Sequence, residues 1–408
     1  MPRRSASMLL ILLRSTVGRW VWWYYRVSVH DHDRPMARRG PMVLLANHVN
    51  FWDPFLLAFG VRRPIRFLAA DGNFRTRGMH ILMTAMGAIP KAKARTDMES
   101  LRILQREITA GEIVALFPEG QRTWDGRPRP IPPATAKLAR VLGAPVVMAE
   151  IRGGYLSKPR WAHSRRRGRI EIHLRTILRG HELTHLPRSL IHQRLERALA
   201  WNDHDWQRAT GVRFVGRRPA EGVEQALYWC PACGAWGTIR GEHERIHCTV
   251  CATTGHLTAS GRLSGVVVSS TGELLPNVAV WGARQAVALN AALRGTREGG
   301  PGLLPYHFFA HYATGYRSRP LHSVGPVRGV LTKETLTLHP VARAPAARAV
   351  PQFLLTAIGA IHVQYTRQLE FYAEGTLHVL RVSGRRDSAA RIEATVLSLH
   401  ELYKVTKH

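Results

Sequence analysis

The stretch Asn47-His48-Val49-Asn50-Phe51-Trp52-Asp53 sets an imidazole just after a short apolar run and a carboxylate five residues further on. A neutral imidazole near pH 7 is suited to take a proton from a hydroxyl as that oxygen forms a new bond. A carboxylate on its far ring nitrogen would fix the tautomer and stabilise the imidazolium. On one continuous helix, five residues would set the two side chains well apart around the axis. They meet only if a strand–turn–helix junction folds them together. The alternative is that Asp53 caps a helix and His48 is a surface residue. A second chemical stretch is Phe117-Pro118-Glu119-Gly120-Gln121-Arg122-Thr123. Its Pro-Glu-Gly turn exposes backbone amides, and Arg122 offers a fork of donors that suits a phosphate. Taken alone it also fits an ordinary strand-end turn with a solvated Arg.

A different chemistry is written in the cysteines. The chain has four, read as Cys230-Pro-Ala-Cys233 and Cys248-Thr-Val-Cys251, with fourteen residues between the pairs. Two CxxC turns at that spacing can offer four thiolates in a tetrahedron to structural Zn²⁺, as in a zinc ribbon. A redox pair is the weaker alternative, because thioredoxin-like motifs come singly. A closed four-Cys shell leaves no open position for catalysis at the metal. Clustering of all four within 230–251 argues against a secreted disulfide framework. His243 and His247 are read as solvated.

The elements that must position these groups follow from hydrophobic periodicity. Residues 42–46 and 112–117 read as short buried strands leading into the two motifs, and 145–151 as a third. Asp53-Pro54 opens a helix that ends at Gly60. Thr96–Glu99 has the form of a capping box for a helix with Leu101, Leu104 and Ile108 on one face. Helices are also expected at 134–142 and 190–206. Strands alternating with helices at this spacing predict an α/β domain with a mixed sheet over 41–215. After a ribbon at 228–257, residues 263–408 turn β-rich. Strands are expected at 266–269, 278–281, 327–339, 353–366, 368–372 and 376–382, and a short helix at 283–294. Ala373-Glu374-Gly375 reads as a hairpin turn and Glu298–Gly302 as a linker. A closing helix carries Ile392, Val396, Leu399 and Tyr403 on one face. The order of elements suggests a small barrel of the pleckstrin-homology or GRAM shape.

Together, the first two motifs, in this order and about 70 residues apart, resemble those of the glycerolipid (lysophospholipid) acyltransferase family. The matching pieces are Asn-His-x-x-x-x-Asp at 47–53 and Phe-Pro-Glu-Gly-x-Arg-Thr at 117–123, with Ala144-Pro145-Val146-Val147 similar to a later apolar motif. The resemblance covers about residues 15–215. It implies His48 as general base, Asp53 as its orienting partner, and direct transfer from acyl-CoA or acyl-carrier protein to a lysophospholipid hydroxyl. It also implies that Glu119, Gly120, Arg122 and Thr123 bind the acceptor's phosphate-glycerol part. A further motif of the family carries an Arg after an acidic residue or Asn. Here Gly87-Ala-Ile-Pro-Lys91-Ala-Lys93-Ala-Arg95 has no acidic residue before Arg95, so that role is open among Lys91, Lys93 and Arg95.

The 408 residues are 45% apolar and 21% charged, which excludes a disordered chain. Lys and Arg outnumber Asp and Glu by 58 to 28, a net charge of +30 that calls for an anionic partner. The apolar run Met8–Leu13 is too short to span a bilayer. Arg14, Arg19 and the aromatics Trp20, Trp22, Trp23, Tyr24 and Tyr25 follow it, as in segments that settle at headgroup level. Residues 1–40 are therefore expected to be an interfacial helix and strand, placing the protein peripherally on the cytoplasmic face of the cell membrane. A buried helix and strand, or a signal peptide starting at Arg3 and Arg4, are the alternatives; no small-residue cleavage site follows. Arg165-Arg166-Arg167-Gly168-Arg169 fits either headgroup contact or a solvated loop. The rival class is a zinc-ribbon binding or scaffold protein that contacts nucleic acid or membrane through its basic surface.

Overall fold

The computed structural model describes residues 12–61, 63–91, 98–268, 271–295, 303–341 and 350–405. Lys93, Arg95, Thr96, the 298–302 linker and most of the Met8–Leu13 run lie outside the described residues. The chain falls into two compact units, residues 1–160 with 166–215, and residues 161–165 with 216–408.

The first unit is built on strands β1 (Ser28–Asp31), β2 (Met42–Ala46), β3 (Ile65–Ala70), β4 (Ile89–Lys91), β5 (Ile113–Leu116) and β6 (Val146–Arg152). The two-residue β7 (Arg166–Arg167) stands apart, and β8 (Glu171–Leu178) completes one sheet in the order β1-β8-β6-β2-β5-β3-β4. Only the β6–β8 pair is antiparallel among these neighbours, so the sheet is mixed, as expected. Side chains alternate across a strand. On β2, Met42, Leu44 and Ala46 enter one core, and Val43 and Leu45 the other. Both cores are covered by helices, which is why these strands read as unbroken apolar runs. Helices Asp53–Gly60 and Arg77–Ala85 pack on the first face through Phe55, Leu56, Leu57, Phe59 and Met83. Helices Met98–Thr109, Ala134–Leu142 and Arg188–Leu199 pack on the second through Leu104, Ile108, Leu142, Ile191 and Leu195.

Two expectations change here. The helix Arg19–Tyr25 buries Val21 and Tyr25, four residues apart, in the first core, and β1 is an edge of the same sheet. These residues are part of the α/β unit, not a region separated from it at residue 40. The single helix expected over 190–206 is two, Arg188–Leu199 and Asp203–Thr210. Asn202 is extended and its side chain accepts from His204 N, which restarts the helix.

After β9 (Val215–Gly216), the second unit opens with an antiparallel sheet of β10 (Ile239–Glu242), β11 (Arg245–Cys248), β12 (Thr254–Leu257) and β13 (Leu263–Ser264). A small hairpin follows, β14 (Val267–Val268) with β15 (Glu273–Leu274). Val278–Trp281, read from sequence as a strand, is the first turn of the helix Val278–Arg294; Asn277 caps it by accepting from Val280 N. The remainder is β16 (Tyr306–Gly315), β17 (His322–Leu331), β18 (Thr335–Pro340), β19 (Gln352–Leu354), β20 (Gly359–Gln364), β21 (Gln368–Ala373) and β22 (Thr376–Val382). All pair antiparallel in the order β19-β18-β17-β16-β22-β21-β20. The expected 327–339 and 353–366 segments are each interrupted, the first by the turn at 332–334. The β21–β22 hairpin is as read: Glu374 and Gly375 have φ of 50° and 77°, the left-handed pair that a two-residue loop needs. The last helix, Ala389–Val405, buries Ile392, Val396 and Leu399.

Candidate functional site

Strands β2, β3, β4, β5 and β6 run parallel, so their C-terminal ends gather on one side of the sheet. In α/β sheets this is where sites form, because the loops converge there. His48 leaves β2 and Phe117-Pro118-Glu119 leaves β5, its hydrogen-bonded neighbour.

The two motifs are stitched together through the main chain of His48. Its N–H donates to Glu119 Oε1 at 2.8 Å, and its carbonyl accepts from Thr123 N at 3.0 Å. The ring stacks on Phe117, with centroids 4.2 Å apart. His48 Nδ1 lies 2.8 Å from Asp53 Oδ2. The turn over 48–53 therefore does what a straight helix cannot. Asp53 makes no side-chain cap at the start of its helix; Oδ2 reaches back to accept from Val49 N (2.7 Å) and Asn50 N (2.8 Å). Asp53 is fully buried, whereas the His48 side chain is 21% exposed, so the dyad is anchored inside and open at the imidazole.

Behind the dyad lies a layer that sequence reasoning did not single out. Asn47 donates to Ile151 O (2.8 Å) and accepts from Ile151 N (2.7 Å), prolonging the β2–β6 pairing by a side chain. Asn50 is buried and donates to Gly154 O (2.8 Å) and Ser157 Oγ (3.0 Å). Gly154 lies so close that a Cβ there would come 2.6 Å from Val49 Cγ2. The turn over 153–156 is held in its place by Asp203, whose carboxylate accepts from Gly153 N, Tyr155 N, Leu156 N and Trp201 Nε1. The Asn202-Asp203 pair at a helix start was the signal available for it.

Glu119 turns inward. Its second oxygen accepts from Arg129 N at 2.9 Å, so the carboxylate joins two loops. Thr123 is buried too, and its Oγ1 accepts from Gly126 N. These two residues, read as acceptor contacts, hold the loop's shape. Gly120 has φ of +70° and no atom within 4 Å of an added Cβ, so its side of the turn is open. Arg122 is half-buried and its charge reaches Asp53. Its carbonyl accepts from Nη1 of the buried Arg160, which stacks over Trp124. Lys91, exposed, ends β4, three strands from β2 and so about 14 Å across the sheet.

Burial pushes the Glu119 carboxyl up to about 7, against the opposing pull of the Arg129 and His48 N–H groups. It pushes Asp53 up to about 8, against the Asn50 and Val49 N–H groups and Arg122. The folded chain thus holds protons that the unfolded chain releases. This contribution to stability is complete below the ordinary carboxyl values of 3.8 and 4.5 and is lost as pH rises through about 7 and 8. Glu119→Gln removes one share of that slope and leaves one N–H donor facing an amide NH₂. Urea unfolding is expected to show a loss of about 1–3 kcal/mol at neutral pH. The variant's midpoint should also fall less steeply between mildly acid and neutral pH than that of the unaltered chain; an identical slope would refute the Glu119 assignment.

The four cysteines, in the second unit, converge. Cys230 Sγ is 3.7 Å from Cys251 Sγ, and Cys233 Sγ is 3.8 Å from Cys248 Sγ. All four sulfurs lie within 4.8 Å of one another. Four ligands at about 2.3 Å on a tetrahedron stand about 3.8 Å apart, so the set has the size of a zinc–thiolate shell. Each knuckle closes on a left-handed residue after its second cysteine, Gly234 (φ 73°) and Ala252 (φ 57°). Burial opposes ionisation of Cys251, but Thr253 and the neighbouring thiols bring it down to about 6.

Comparison with known proteins finds similarity over part of the chain. Residues 26–151 match the family model described as Acyltransferase. The chain is 26% identical over 136 residues to the chloroplastic 1-acyl-sn-glycerol-3-phosphate acyltransferase BAT2 of Brassica napus, covering 33% of this chain and 39% of that one. It thus spans about two fifths of that relative's length. Among solved structures, the 1-acyl-sn-glycerophosphate acyltransferase PlsC of Thermotoga maritima aligns at 18% identity over 49% of this chain and 81% of its own, with a TM-score of 0.40. The N-terminal PH domain of human ARAP2 aligns at 13% identity over 28% of this chain and 90% of its own, with a TM-score of 0.21.

Proposed function

We propose that this chain, whose residues 26–151 match the Acyltransferase family model, moves a fatty acyl group from acyl-CoA or acyl-carrier protein to the hydroxyl of a lysophospholipid such as 1-acylglycerol-3-phosphate. The observation that carries the reading is the 2.8 Å contact of His48 Nδ1 with buried Asp53 Oδ2. Burial raises the Asp53 carboxyl, so the base form is the one reached when that carboxyl gives up its proton. Val49 N and Asn50 N can only donate, so they hold the carboxylate Oδ2 as an acceptor and keep the single ring hydrogen on Nδ1. Nε2 then carries the lone pair. It takes the acceptor's hydroxyl proton as that oxygen bonds to the thioester carbonyl carbon. The imidazolium, stabilised by Asp53, returns the proton to the departing thiolate. The ester forms, the thioester breaks, and no acyl-enzyme is needed.

Arg122 is assigned to the acceptor's phosphate, with Lys91, Lys93 and Arg95 as the remaining cations of that side. Hydrogen bonds to charged groups are worth about 1.5–3 kcal/mol, so Arg122→Ala is expected to raise the acceptor's KM about ten- to a hundredfold. The donor's KM should move little. Equal effects on both substrates, measured with radiolabelled acyl-CoA over a lysolipid panel, would count against the phosphate role.

The cysteine cluster is assigned to structural zinc and the β16–β22 module to a pleckstrin-homology or GRAM-like domain. We also assign the protein peripherally to an anionic membrane, at the cytoplasmic face. Among the described residues no helix is long and apolar enough to cross a bilayer. Leu12, Val17, Trp20 and Trp23 are nonetheless exposed beside Arg14 and Arg19, and Arg167 stacks over Trp23. Exposed aromatics among arginines favour headgroup depth.

A further inference from the structure

The β1–β8 edge of the first unit carries a histidine cluster that the acyl-transfer chemistry does not use. In the parallel register His30 stands opposite His173, and Ser28 opposite Glu171. Alternation puts His30, His32, Glu171 and His173 on one face. The rings of His30 and His173 stack with centroids 4.5 Å apart, and those of His32 and His173 at 5.1 Å. We propose that His30, Glu171 and His173 bind a divalent transition-metal ion that fastens the edge strand β1 to β8.

One donor atom from each of the three residues lies within 4.8 Å of the other two, a span that a single ion can bridge. His173 Nε2 and Glu171 Oε2 are 3.0 Å apart, close to the spacing of two cis ligands on one metal. The outer shell is also present. His32 Nε2 sits 2.8 Å from His173 Nδ1, and Ser28 Oγ is 3.0 Å from His30 Nε2. A ligating imidazole donates its other N–H to such a partner. Without metal, the Nε2 hydrogen of His173 faces Glu171. With metal on Nε2, that hydrogen sits on Nδ1 and faces His32 Nε2, whose own hydrogen moves to its far nitrogen. Both rings stay neutral and no net proton leaves.

Two imidazoles and one carboxylate suit Zn²⁺, Ni²⁺ or Cu²⁺ over Mg²⁺ or Ca²⁺. Arg169 holds the other oxygen of Glu171 at 3.0 Å and partly offsets its charge, so the affinity is modest. The consequence is mechanical. β1 has four residues and pairs on one side only, and it carries the chain out of the aromatic helix Arg19–Tyr25. A bridge from His30 to His173 closes that edge.

The test uses the full, untagged chain, saturated with Zn²⁺ at its cysteines, dialysed against Ni²⁺ alone and assayed for nickel by elemental analysis. One bound Ni²⁺ per chain is expected, with a rise in the melting temperature. Loss of an outer-shell partner weakens a site about 10–100-fold, so His32→Ala is expected to cost about tenfold, and His30→Ala or Glu171→Gln about a hundredfold or more. His30 is exposed, so its replacement leaves the fold intact, and His181→Ala, at another exposed histidine, should leave binding unchanged. No bound nickel in the unaltered chain, or a nickel affinity in His30→Ala and Glu171→Gln unchanged from that of the unaltered chain, overturns the site.

Discussion

His48→Ala is expected to lower kcat for acyl transfer by about a hundred- to ten-thousandfold, the range over which a positioned general base contributes. The fold should survive. The two bonds that fix this position, to Glu119 Oε1 and from Thr123 N, use the main chain and remain in an alanine variant. The ring is one-fifth exposed and its chief packing partner is Phe117, so the stability loss should be small beside the catalytic one. Asp53→Asn should also be severe, for a different reason. Val49 N and Asn50 N select the amide oxygen for the Oδ2 position, so the ring hydrogen stays on Nδ1, but the imidazolium that forms in the reaction loses the carboxylate charge that stabilises it. Exogenous imidazole should restore part of the activity of His48→Ala and none of that of Asp53→Asn, where the ring still fills the site. Near-normal turnover in His48→Ala would sink the mechanism.

How much of this was legible in the sequence depended on whether the decisive contact was local. The strand-to-loop junctions at 46–48 and 116–118, the Asp53-Pro54 helix start and the stop at Gly143 are set by neighbours in the chain, and they were read with their boundaries nearly right. The Glu374-Gly375 turn is of the same kind, because its two left-handed residues suffice to set it. Roles assigned to side chains by motif fared differently. Glu119 and Thr123 sit in a loop whose ends meet Arg129 and Gly126, partners that no spacing rule could supply. Asp203 acts on a turn about 50 residues away, and its importance exists only once β6 and the helix Asp203–Thr210 pack together. A strand was expected before residue 40, where β1 lies, but its partner β8 escaped notice because a strand with polar residues on one face does not look apolar. Val278–Trp281 misled because an apolar run of four has no period. The cap from Asn277, one residue earlier, was the better guide.

The same distinction gives the cysteine cluster its sharpest test. Its ligand set is wholly legible as two local knuckles, yet the tetrahedron forms only when β10 and β11 bring residues 230–233 and 248–251 together. A structural zinc–thiolate shell contributes about 10–16 kcal/mol in small zinc-binding peptides, comparable with the entire stability of a domain. The purified chain is therefore expected to carry one zinc per molecule and to show four thiols that resist alkylation until a chelator or denaturant is added. Cys230 and Cys248 are buried and Cys233 and Cys251 exposed, so two of the four should react at once if no metal held them. Cys233→Ser is the informative variant, since its site is exposed and a serine introduces no packing defect. It should lose zinc and lower the melting temperature of the second unit by many degrees, while the first unit, with its own two cores, keeps its transition. A zinc-free chain with freely reactive Cys233 and Cys251 and an undiminished melt would show that hydrogen bonds and packing alone hold the knuckles, and the ribbon would have to be explained without a metal.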